Sequence, residues 1–171
     1  MPRAVSESRA REIDPLFLFL AEVEISPNMS SFADDVYFVE DGAEVKISCL
    51  EDGFLSQFPD NDNRSRMMLS YGELWEPSKD GLIIAKLGGE KKVRTTLPEL
   101  WGVLKKQPNL EEGALSLWSA NIFYILNNKG ILCPVIVDQK YGGWRISVRS
   151  VKDSYEWYED SRVFCSAEGG W

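Results

Sequence analysis

The polar and apolar positions of this chain alternate in short runs, and most of the runs repeat every two residues. Across residues 16–25, LFLFLAEVEI ends with Ala21, Val23 and Ile25 on one side and Glu22 and Glu24 on the other. A period of two is that of a strand, so the segment predicts a strand buried at its start and half-exposed at its end. For residues 16–20 alone, periodicity leaves a buried helix open. After a loop containing Pro27, VYFVEDGAEVKISCL predicts a hairpin, with residues 36–39 and 44–49 flanking Asp41-Gly42. That dipeptide suits the positive φ of a type I′ turn. Val45, Ile47 and Cys49 then share one face, which makes Cys49 a core thiol. Residues 51–66 read as a loop anchored by Phe54, Leu55 and Phe58, and residues 67–74 are apolar without a clear period. Asp80-Gly81 marks a turn into a strand over 82–87. Gly88-Gly89 marks a turn into 91–95, giving a second hairpin whose outer strand carries Lys91, Lys92 and Arg94.

One helix is predicted, over about residues 96–106. Thr96-Leu97-Pro98-Glu99 fits a capping box with proline in the first turn, where no N–H is missed. Leu97, Leu100, Trp101 and Leu104 fall at i, i+3, i+4 and i+7 as a stripe for the core. Lys105 and Lys106 suit the negative end of the helix dipole, and Pro108 ends the helix. Residues 114–120 are compatible with a helix, but Ile122-Phe123-Tyr124-Ile125 predicts a strand near 120–126, followed by the turn Asn127-Asn128-Lys129-Gly130. Residues 131–138 form another β run, in which Pro134 predicts an edge position or a bulge. Tyr141-Gly142-Gly143 turns into 144–151, where Trp144, Ile146 and Val148 alternate with Arg145, Ser147 and Arg149, and 162–165 is the last strand. The sum is an α+β fold: a single domain, mainly antiparallel hairpins in a meander, with one helix. Residues 1–14 read as a mobile arm, 15–165 as the domain (with 16–95 and 109–165 as candidate subdomains), and 166–171 as a tail.

Composition narrows the function. With 171 residues, 44% of them hydrophobic, the chain is too apolar for a disordered tail and large enough for a core. The longest uncharged apolar run, residues 15–21, is far short of the roughly 20 residues of a membrane span. Lys plus Arg is 19 against 27 Asp plus Glu, a formal charge of −8. No nucleic acid is expected as partner, because such binding needs cations to neutralise phosphates. The sign suits a basic protein partner, although solubility alone explains it too. Three cysteines, no C-x-x-C and an N-terminus without the apolar core of a secretory signal point to free thiols in a reducing cytoplasm.

The chain contains no histidine. That excludes Ser-His-Asp and Cys-His catalysis, His-ligated zinc and the usual switch near neutral pH. Asp60-Asn61-Asp62-Asn63 begins like a calcium loop, but Arg64, Ser65 and Tyr71 fall where the loop needs an oxygen ligand, a glycine and a glutamate. Gly88-Gly89 lacks the G-K-[ST] of a phosphate loop, and no cofactor is implied. Paired carboxylates would suffice for some hydrolyses, yet among 27 acids such a pair has no specificity.

Two features remain as candidate partner-binding surface. Tyr155, Glu156, Trp157, Tyr158, Glu159 and Asp160 form an acidic aromatic cluster, and Tyr and Trp dominate binding hot spots. Arg145 and Arg149 share one strand face with Ser147, positioned to pair with acids of a neighbouring strand or to receive an anion. Trp144 and Phe164 belong to the core. These features point to a non-catalytic cytoplasmic protein that binds another protein, in the manner of an inhibitor, immunity or adaptor protein. Two alternatives are a structural subunit of a larger assembly such as a virus particle, and an enzyme that uses carboxylates alone.

Overall fold

The most apolar segments of the chain become the middle of a sheet. A computed structural model describes residues 16–25, 45–58, 68–152 and 155–166. In β6 (Asn121–Leu126) Ile122 and Tyr124 point to one face and Phe123 and Ile125 to the other, and all four are buried. A strand covered on both faces reads as a continuous apolar run, which is why NIFYIL shows no alternation. Antiparallel to it lies β7 (Leu132–Lys140), joined by a hairpin to β8 (Gly143–Val148). Tyr141 and Gly142, at φ 53 and 73, form the two-residue turn between them.

The remaining strands complete a mixed sheet. β1 (Phe17–Glu24) pairs antiparallel with β3 (Met68–Leu74), and β3 with β10 (Arg162–Ser166). β10 runs parallel to the first half of β6, and the short β5 (Arg94–Thr95) runs parallel to its second half. At the far side β2 (Ile47–Leu50) runs parallel to β8. The order is β1-β3-β10-β6-β7-β8-β2, so residues 16–95 and 109–165 both contribute strands to one sheet. A separate ribbon joins β4 (Ser78–Lys79) to β9 (Glu156–Trp157).

Each face of the sheet has its own cover. On one, α1 (Phe54–Gln57) and α4 (Leu97–Lys106) pack Phe54, Leu97, Leu100, Trp101 and Leu104 against Phe123, Val135, Trp144 and Phe164. The predicted capping box is present: Thr96 Oγ1 accepts from Glu99 N at 3.3 Å, and Glu99 Oε2 from Thr96 N at 2.8 Å. On the other, α2 (Asp80–Lys86) and α3 (Glu90–Val93) bring Ile83, Leu87 and Val93 onto Ile122, Tyr124, Ile136 and Val163. Among the described residues no helix is long and apolar enough to cross a membrane.

Several expectations are corrected. The sheet is mixed rather than an antiparallel meander, because three of its pairings, β2 with β8, β5 with β6 and β10 with β6, are parallel. Residues 82–86 belong to a helix that Leu87 caps: Ile83 and Leu87 are one turn apart and face the sheet, while Leu82 is exposed. Short apolar runs do not separate helix from strand by period. The expected outer strand 91–95 is a helical turn followed by two strand residues. Residues 36–39 and the Asp41-Gly42 turn lie outside the described residues, and β2 finds its partner in β8. An irregularity between Ile47 and Cys49 places Ile47 opposite Trp144 but Cys49 opposite Arg145. One extra residue flips a strand's facing, so Cys49 is exposed. Pro134 lies in a central strand without loss, because its carbonyl accepts from Arg149 N just past the end of β8. Its missing N–H falls on that same side, where no strand continues.

Candidate functional site

Two buried amides build the first part of the site. Gln107, just past α4, donates from Nε2 to the carbonyls of Glu111 (2.7 Å) and Leu115 (3.0 Å) and accepts from Leu115 N (2.7 Å). Asn121, at the start of β6, accepts from Ser116 N at 2.7 Å and donates to the carbonyls of Ser116 (3.0 Å) and Val137 (2.9 Å). The loop between them is thus fastened at both ends by side chains that replace a regular backbone ladder. Ser116 Oγ accepts from the backbone N–H groups of Trp118 and Ser119. Ser119 Oγ lies 2.8 Å from Ser116 Oγ and donates to the Asp160 carbonyl at 2.6 Å. A carbonyl only accepts, so it takes the Ser119 proton and the Ser116 hydroxyl supplies the proton between the two serines.

That relay ties the loop to the turn at 158–161. Asp160, at φ 68, donates its N–H to Leu74 O at 2.9 Å, and Leu74 N donates to Ser161 O at 2.8 Å. The end of β3, the turn before β10 and the loop before β6 are therefore consecutive neighbours at one end of the sheet. Each carries an outward aromatic residue: Trp75 is 69%, Tyr158 73% and Trp118 89% exposed. Around them Glu76, Glu112, Glu156, Glu159 and Asp160 are exposed acids. Backbone hydrogen bonds hold Glu111 below the ordinary carboxylate range. The cation beside this surface is already engaged: Arg162 Nε donates to Glu73 at 3.3 Å, and its Nη1 to the carbonyls of Gly113 (2.8 Å) and Ala114 (2.9 Å). A recess of about 320 Å³ opens between Glu112, Leu115, Ser116, Trp118 and Arg162.

The residues singled out from sequence are split by the fold. Glu156, Tyr158, Glu159 and Asp160 are exposed. Trp157 is not surface: it is 2% exposed, and its Nε1 donates to Asp80 Oδ1 at 2.7 Å. Tyr124 Oη donates to the same oxygen at 2.6 Å. Burial, reinforced by the Asp80 charge, pushes the Tyr124 phenol well above its ordinary pKa. Tyr155 is half-buried, edge-on to Trp157 at 4.8 Å, and the Arg149 guanidinium lies 4.0 Å above its ring. The sheet thus joins the aromatic segment to the arginine strand, but through a packing contact. Arg145 makes a two-pronged ion pair with Asp138 across β7 and β8, which raises its pKa further. Trp144 and Phe164 are in the core as expected.

Trp75 and Trp118 escaped the sequence reading. Trp75 has the same acidic setting as Tyr158, between Glu73, Glu76 and Pro77, and that was the available signal. Trp118 sits in a stretch whose secondary structure the sequence left open. Among the described residues no three His, Cys, Asp or Glu side chains converge into a metal-binding group. No family model, no curated protein and no solved structure matches the chain.

Proposed function

We propose that this chain is a non-catalytic protein that binds another protein through the acidic aromatic end of its sheet. The observation that carries the reading is the row Trp75, Tyr158 and Trp118, outward on three segments that hydrogen-bond one another. Holding such rings in water leaves a large apolar area exposed, and aromatic residues on a rigid backbone lose little entropy on contact. The surrounding acids favour a partner with a basic face, since complementary potentials speed encounter and select partners. The three cysteines are free thiols, which fits a reducing cytoplasm.

The test is a complex captured with the wild-type chain and remeasured with variants. Trp118→Ala and Tyr158→Ala each weaken it about tenfold or more, as expected of hot-spot aromatics, and added salt weakens the wild-type complex. Ile131→Ala, at the opposite end of the sheet, leaves it unchanged. Wild-type affinity in both aromatic variants overturns the reading. Trp157→Ala is unsuitable, because it empties a buried site.

A further inference from the structure

We infer that the recess beside Trp118 receives an arginine side chain of the partner. This deepens the proposed function and rests on it for its biological meaning. Glu112, Leu115, Ser116, Trp118 and Arg162 line the recess, and Trp118 is 89% exposed. The Arg162 charge is met by Glu73, which accepts from its Nε at 3.3 Å, and its Nη1 donates to two backbone carbonyls. Glu112 makes no ion pair among the described residues. The lining itself is neutral, Glu112 against Arg162; Glu73 offsets the Arg162 charge from outside the lining, and the exposed acids Glu111, Glu159 and Asp160 on neighbouring segments make the surroundings negative. An indole face attracts a cation over its ring. Guanidinium fits better than ammonium, because it stacks flat on the ring while its fork meets a carboxylate. The loop is pinned by Gln107, Asn121 and the Ser116–Ser119 relay, so the recess exists before the ligand arrives and little ordering is needed on binding.

The experiment is a titration of the full chain with N-acetyl-arginine amide, read on tryptophan indole N–H signals by NMR. The Trp118 signal is identified by its absence in Trp118→Ala. A saturable shift of that signal is expected, weaker with N-acetyl-lysine amide and absent with the uncharged N-acetyl-citrulline amide. Glu112→Gln weakens it about two- to fivefold, the range for an exposed charge pair. Both substitutions are at exposed positions and leave the other indole signals in place. No shift, or an equal shift with citrulline amide, overturns the inference. The probe needs no protein partner, so the two readings fail separately. A partner complex lost in Tyr158→Ala alongside a flat titration removes the recess and leaves the surface. A saturable titration alongside a complex indifferent to both Trp118→Ala and Tyr158→Ala supports the recess and removes the surface.

Discussion

Asp80 is the residue whose replacement should cost most for its size. It opens α2 and is almost wholly buried, and one of its oxygens accepts from Tyr124 of the central strand and Trp157 of the outer ribbon. Asp80→Ala leaves a buried phenol and a buried indole N–H without that acceptor. Each orphaned donor costs about 1–3 kcal/mol, so the loss is about 2–6 kcal/mol, against a total stability of roughly 5–15 kcal/mol for a domain. Asp80→Asn keeps an acceptor oxygen and forfeits only the charge assistance, about 1 kcal/mol per bond. Tyr124→Phe removes one donor and leaves the other bond intact. Urea unfolding followed by far-ultraviolet circular dichroism gives the three values, with the slope checked for constancy. The expected order is Asp80→Ala well beyond Asp80→Asn, accompanied by loss of the near-ultraviolet signal as Trp157 loosens. A loss below about 1 kcal/mol for Asp80→Ala, or an equal loss for Asp80→Asn, refutes the assignment of this carboxylate as the tie between ribbon and sheet.

Three further outcomes follow from the same geometry. The folded Tyr124 phenol ionises well above 10.0 while the unfolded one ionises near it. Its contribution is therefore intact below about pH 10 and falls by about 1.4 kcal/mol per pH unit above that; urea melts at rising alkaline pH should show a shallower decline in Tyr124→Phe. Cys49 is exposed, whereas Cys133 and Cys165 are buried and burial raises the Cys133 thiol pKa. Ellman's reagent should find one fast thiol in the native protein, absent in Cys49→Ser, and equal reactivity of all three would contradict the β2 register. A Cβ on Gly143 would lie 2.8 Å from Ser48 Cβ, 2.9 Å from Ser48 N and 3.0 Å from Lys46 O. Gly143→Ala should cost about 1–3 kcal/mol and speed hydrogen exchange at Trp144 N, which donates to Lys46 O; unchanged exchange would show that β2 yields easily.

What the sequence alone determined is local. The capping box at Thr96 and Glu99, the apolar stripe of α4, the alternation of β8 and the Tyr141-Gly142 turn are written within a few residues, and each forms as read. Tertiary structure decided everything that depends on distant neighbours. Residues 82–86 are helical because Ile83 and Leu87 need only one side against the sheet, and a short, mostly apolar run fits either period. Cys49 faces water because one extra residue in β2 shifts its pairing with β8. Trp157 is buried because Asp80, far away in the chain, supplies its acceptor, and nothing adjacent to Trp157 records that. Trp75, Trp118 and Tyr158 become one surface only because β10 inserts between β3 and β6, placing three remote segments side by side.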